Sequence, residues 1–172
     1  QADMITELFP DAKNVGILYC SGEPNSVYQA KVVKDCLEKK NIKVEVYTFS
    51  DSNDVSTVTS SACANSDVIY IPTDNTAASC TEAISAVALP AGVPIVAGEE
   101  GICKGCGVAT LSIDYYELGR TTGQMAVKIL KGEANVSEMP IEYYPNPVKK
   151  YNADIASKLN VTIPEGYTAI SD

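Results

Sequence analysis

Continuous apolar runs alternate along this chain with stretches in which apolar positions recur every three or four residues. Val15 to Tyr19 form an unbroken apolar run after the turn-forming Pro10-Asp11. Such runs suit strands covered on both faces, as in parallel sheets. Val27, Ala30, Val33 and Leu37 then recur at helical spacing, with Lys31, Lys34, Asp35 and Glu38 facing out, and Asn41 closes that helix. Ile42, Val44 and Val46 alternate with Lys43 and Glu45, as in a half-exposed strand. Ser52 or Asn53 is suited to cap a helix with the stripe Val55, Val58 and Ala62. Val68 to Ile71 read as a third strand. Asn75 is placed to cap a helix carrying Ala77, Cys80, Ile84 and Val87. Strands over 93–97 and 108–113 follow, then a longer helix over 114–131 with Leu118, Met125, Ala126 and Ile129, ended by Gly132. A short helix opens the chain at Met4-Ile5-Thr6-Glu7-Leu8. In the last 40 residues, Pro140, Pro145, Pro147 and Pro164 leave short extended pieces and one short helix near 152–159.

Strands alternating with helices make βαβ units with right-handed crossovers. The predicted fold class is therefore α/β: a doubly wound parallel sheet with strand order 2-1-3-4-5. In such sheets ligands bind beyond the carboxyl ends of the strands. That rule selects the loops at 20–26, 50–53, 72–76, 98–101 and 114–116. They carry six acids and no Lys or Arg, and they are rich in hydroxyls and amides.

Charge sharpens this picture. The 172 residues carry a net charge of −9, 45% of them are apolar, and there is no histidine. A basic nucleic-acid-binding face is not expected. Catalysis by a Ser-His-Asp or Cys-His arrangement is excluded within the chain, and so is any histidine-containing zinc site. Between Lys43 and Lys104 there is no cation, while Glu45, Asp51, Asp54, Asp67, Asp74, Glu82, Glu99 and Glu100 fall in that gap. Such a region is a poor phosphate site. No apolar run reaches the ~18 residues of a membrane-spanning helix. The opening Gln1-Ala2-Asp3, without an initiator Met, reads as the start of a processed or excised piece.

Acids beside helix N-termini have two readings. A helix start offers free N–H groups to a carboxylate, and neighbouring acids can receive an ammonium, which together suit a small zwitterion. The plainer reading is that Ser26, Asn53 and Asn75 cap helices and the acids complement helix dipoles. The plain reading is preferred for Asn53 and Asp54, the binding reading for Thr73-Asp74-Asn75. A phosphoacceptor signalling domain would need acids after the first strand and a Lys after the fifth, where Cys20-Ser21 and Asp114 stand instead. A flavin phosphate loop at 21–26 is disfavoured by Glu23 and by Pro24, which lacks an N–H. The G-x-G-x-x-G of a dinucleotide site is absent. Cys103-Lys104-Gly105-Cys106 is a CxxC pair followed by a strand, best read as inert or locally bridged, with metal binding and redox activity as lesser alternatives. Cys36, Cys63 and Cys80 are expected in the core. Tyr115 or Tyr116 could stack on an apolar ligand group, and Arg120 should pair with Glu117. Sequons stand at Asn135 and Asn160.

The segments Val15-Gly16-Ile17-Leu18-Tyr19 with Ser21-x-Glu23-x-Asn25-Ser26, Tyr70-Ile71-Pro72-Thr73-Asp74-Asn75-Thr76, Gly98-Glu99-Glu100-Gly101, and Ala109 to Gly119 resemble, in order, the substrate-binding proteins of ABC importers. Among these the chain is most similar to the tryptophan/tyrosine-type group with a type I periplasmic-binding fold. The resemblance implies two lobes closing about a hinge on a small ligand, an aromatic or apolar amino acid, with no catalysis and no cofactor or metal. It implies an extracytoplasmic location, as a periplasmic protein or cell-surface lipoprotein, and ABC permease subunits as partners. By motif match the ligand-facing residues are Ser21, Glu23, Asn25, Ser26, Thr73, Asp74, Asn75, Glu99, Asp114 and Tyr115. Asp74 would take the ligand ammonium and the Asn25-Ser26 helix start its carboxylate. Residues 1–112 would form the second lobe, 113–140 the hinge and a helix that docks on a first lobe absent from this sequence, and 141–172 the return. Pairing of two copies is one way to cover that helix. The alternative is a flavodoxin-like or sugar-sensing regulatory domain.

Overall fold

A computed structural model of the chain describes residues 1–171. Its strands are β1 (Asn14–Cys20), β2 (Lys43–Phe49), β3 (Val68–Ile71), β4 (Ile95–Ala97), β5 (Ala109–Ser112), β6 (Val148–Tyr151) and β7 (Thr168–Ala169). Its helices are α1 (Ala2–Leu8), α2 (Pro24–Glu38), α3 (Val55–Asn65), α4 (Asn75–Ser79), α5 (Thr81–Ala91), α6 (Glu100–Cys106), α7 (Tyr115–Leu130) and α8 (Ala153–Lys158). One sheet runs β2-β1-β3-β4-β5-β6-β7. The first five strands are mutually parallel in the order the hydrophobic pattern predicts, β6 joins β5 antiparallel, and β7 runs parallel to β6.

The central strands are covered on both sides, which is why they read as continuous apolar runs. On one face Val15, Ile17, Val68, Tyr70 and Val96 pack with α1, α2 and α8; on the other Leu18, Ile69, Ile71, Ile95 and Ala97 pack with α3, α5 and α6. Asp67 joins the starts of the neighbouring strands β1 and β3, its Oδ2 accepting the Lys13 and Asn14 N–H groups at 2.9 and 2.8 Å.

Several elements differ from expectation. The helix expected over 75–87 is two helices parted at Cys80. Helix α6 takes in the CxxC pair, whose two cysteines lie in its second half and not at its start. Strands β6 and β7 occupy the expected irregular tail. Asp54, and neither Ser52 nor Asn53, stands at the α3 N-cap, and its side chain accepts the Ser50 hydroxyl at 3.2 Å rather than a helix N–H. Cys36 is exposed, and Cys63 and Cys80 are only partly buried. Their places are at the margins of the stripes, where the helix faces turn to solvent; Val27 is likewise exposed.

Helix α7 ends as expected, with Gly132 in the left-handed region at φ 73°. Tyr115, Leu118, Thr122, Met125, Ala126 and Ile129 fall along one side of it, while Glu117, Gln124 and Lys128 fall opposite. None of its residues is buried. It leaves the sheet after β5, and the chain returns only at β6. Arg120 pairs with Glu117 at 3.3 Å, as the spacing predicts.

Candidate ligand-binding site

The loops at the carboxyl ends of β1, β3, β4 and β5 meet at the open edge of the sheet. Gly98 sits where β4 leaves the sheet, its N–H donating to the Ile71 carbonyl at 2.7 Å. A Cβ there would lie 2.5 Å from the Thr73 nitrogen, so glycine is what allows the two loops to touch. Thr73 is held on three sides. Its N–H donates to Gln29 Oε1 at 3.0 Å and its hydroxyl to the Gly98 carbonyl at 3.3 Å. Its carbonyl accepts Asn25 Nδ2 at 2.8 Å and the Ser26 hydroxyl at 3.4 Å.

Four acids of these loops serve helix starts. Asp74, and not the expected Asn75, caps α4: its Oδ1 accepts the Ala77 N–H at 2.7 Å, and its Oδ2 accepts the Cys20 N–H at 2.8 Å. Only 1% of Asp74 is exposed. Glu23 stands at the N-cap of α2 but reaches across to α4. Its Oε2 accepts the Asn75 N–H and Nδ2 at 2.9 and 3.0 Å, and its Oε1 the Thr76 N–H and hydroxyl, each at 2.8 Å. Burial alone would push the Glu23 carboxyl up; the donors from Asn75 and Thr76 outweigh it and hold the group at about 2. Glu99 caps α6, accepting the Gly101 N–H at 2.7 Å and the Ile102 N–H. Asp114 caps α7 through Oδ1, which accepts the Glu117 N–H at 3.0 Å. Its second oxygen has no partner among the described residues.

Two concavities open above this edge. One, of about 330 Å³, is lined by Thr73, Asp74, Asn75, Ala78, Glu99, Gly101 and Tyr115. The other, of about 390 Å³, lies beside β5 and β6 against Glu100, Asp114, Tyr115, Tyr144 and Lys150. Tyr115 stands between them, and burial together with the Glu99 charge raises its phenol. A slightly larger hollow, about 400 Å³, is lined by Tyr28, Val32 and Cys36 and by Gln1 and Gln29, which bond to Gly98 and Thr73.

Of the sequence-predicted residues, Thr73, Asp74, Asn75, Glu99 and Tyr115 gather in the first concavity, and Asp114 joins Tyr115 in the second. Ser21, Glu23, Asn25 and Ser26 line neither. Ser26 is fully buried, and the Ser21 hydroxyl donates to the Phe49 carbonyl at 3.3 Å. Tyr144 and Lys150 lie outside the loops selected from the sequence, and Glu100 lies in one of them without being singled out as a site residue. Lys150 lies beyond the canvassed loops and reaches this edge only because β6 runs back beside β5.

The cysteines do not form a reactive pair. All six are free thiols. Burial raises both Cys103 and Cys106, the latter to about 12. Among the described residues no group of three His, Cys, Asp or Glu side chains is arranged to hold a metal ion.

Known proteins similar to this chain share one family and one fold. A tyrosine-binding protein of Clostridioides difficile (strain R20291) is 34% identical over 139 residues, 81% of this chain and 40% of the relative. An ABC domain in complex with L-Trp from Streptococcus pneumonia superposes with a TM-score of 0.87 at 31% identity, covering 99% of this chain and 59% of that one. A ligand-free, open substrate-binding protein with adhesive properties from Clostridium difficile gives 0.80 at 33% identity, covering 98% and 58%. The chain thus spans well under two thirds of the length of these relatives. Residues 1–171 match the family model of the ABC transporter substrate-binding proteins, and to that family the chain belongs.

Proposed function

We propose that this chain is one lobe of an extracytoplasmic solute receptor for an ABC importer, and that it binds an amino-acid-like ligand with an aromatic or apolar side chain. The observation that carries the reading is the first concavity: hydroxyl, amide and carboxylate groups stand at the carboxyl edge of the sheet with no cation among its lining residues. Such a surface favours an ammonium and disfavours phosphate. The relatives named for tyrosine and complexed with L-Trp support the ligand class. The ammonium falls to Asp114, which keeps one carboxylate oxygen free beside Tyr115, because both oxygens of Asp74 and both of Glu99 are turned onto backbone N–H groups. Thr73 and Asn75 offer the hydroxyl and amide, and Tyr115 the apolar wall.

In this reading 113–140 is hinge and α7, and α7 lays its uncovered apolar side on a first lobe rather than on a second copy. The lobes close on the ligand about the crossings near 112–114 and 141–148. Binding and release are the whole task; no bond is made or broken. Permease subunits receive the closed form, and a lipid anchor would hold the receptor at the membrane. The test is a thermal-shift screen of the full-length protein against amino acids, sugars and FMN. Ligand at a hundredfold its Kd stabilises by about 2.7 kcal/mol, and tyrosine or tryptophan should give that rise. A rise with a sugar or FMN and none with amino acids overturns the reading.

A further inference from the structure

The second concavity contains a group the first lacks. Lys150 is the only Lys or Arg among the residues lining either one. It sits on β6 opposite Thr110 of β5, and directly opposed side chains of an antiparallel pair share a face. Two residues along β5 on that face is Ser112, which is 2% exposed, and Thr110 keeps a buried hydroxyl with no partner. Ser112 and Val148 line the concavity beside Lys150 on that face, and Thr110 lies beneath them. The Lys150 ammonium meets Glu100 Oε2 at 2.6 Å, with about a third of each side chain still exposed. Asp114 lines the same concavity with one carboxylate oxygen unused. Tyr115 and Tyr144 supply aromatic walls.

A cation already paired and a carboxylate with a free oxygen, set in one hollow between tyrosine rings, complement an α-amino acid head group. We infer that this hollow is the head-group subsite: Lys150 takes the ligand carboxylate, Asp114 takes its ammonium, and the side chain extends past Tyr115. The inference rests on the amino-acid reading above and deepens it. It also explains why helix N-termini are not needed for the carboxylate: α4, α6 and α7 are each capped by an acid of this chain. Glu100 competes with the ligand for Lys150, so it tempers affinity.

The test uses calorimetry on the full-length protein with L-tyrosine and L-tyrosinamide, which keeps the ammonium and lacks the carboxylate. The parent should bind the acid at least tenfold more tightly than the amide. K150M should weaken L-tyrosine at least tenfold and leave the amide within twofold, and K150R should restore part of the loss. E100Q frees Lys150 and should tighten L-tyrosine severalfold, a gain that no folding defect produces. Equal weakening of acid and amide by K150M, or weakening by E100Q, overturns the assignment. A parent that binds sugars or FMN but no amino acid overturns the proposed function and this subsite with it. A parent that binds amino acids while K150M changes nothing overturns the subsite alone.

Discussion

Glu23→Gln tests how two helix starts are joined at the cleft edge. Glu23 ends the β1 loop and holds α4 through four hydrogen bonds from Asn75 and Thr76. Its carboxyl sits near 2 when folded, against an ordinary 4.5. That gap corresponds to roughly 3 kcal/mol at 1.36 kcal/mol per pH unit. Because Glu23 is partly exposed, solvent screening brings the expected contribution down to about 1–2 kcal/mol. A folded-state value below the unfolded one means that the stabilisation is complete above about 4.5 and fades as the pH falls toward 2. Gln keeps the shape but presents a single acceptor oxygen. Urea unfolding of the chain, followed by circular dichroism, should show the variant less stable by about 1–2 kcal/mol at pH 7, or about 2–8 °C in Tm. The two proteins should converge as the pH drops from 5 to 2. A difference that stays constant over that range would refute the argument, because it would trace to shape and not to charge.

Two further outcomes follow from the same edge and from the core beneath it. Asp74→Asn leaves an amide NH2 where a backbone N–H now donates, so stability should fall by about 1–3 kcal/mol; an unchanged urea midpoint would show that the inward-facing bonds do not matter. Thiol labelling at pH 8, read by mass spectrometry, should modify the exposed Cys36 first and leave Cys103 and Cys106 intact until the chain unfolds. Early labelling of that pair, or a bridge between them, would contradict their burial.

The sheet was legible because its central strands are apolar on both faces; Val15 to Tyr19 and Val68 to Ile71 admit few other readings. Helix α6 was not, because Glu100-Gly101-Ile102-Cys103-Lys104-Gly105-Cys106 has two glycines and too few turns to show a stripe. Gly105 is there for packing: a Cβ would lie 2.4 Å from Thr81. Strand β6 was hidden by Lys149 and Lys150. Each is spent on an acid brought near only by folding, Lys149 on Glu7 at 2.6 Å and Lys150 on Glu100. The site was legible as a set of loops and not as a set of roles. Asp74 and Asp114 both cap helices, and only the second carboxylate oxygen separates them: it accepts the Cys20 N–H in Asp74 and has no partner among the described residues in Asp114.

The excursion from β5 to β6 has a consequence for how the sheet assembles. Its ends, Ser112 and Val148, are cross-strand partners, so the chain goes out and returns to adjacent positions. Roughly 35 residues lie between them. Replacing them with a four-residue turn would shorten the loop by about three doublings, worth only about 2 kcal/mol of closure entropy. The pairing of β5 with β6 therefore needs little from the residues between them, and a chain with the excursion cut to a tight hairpin should still complete its seven strands.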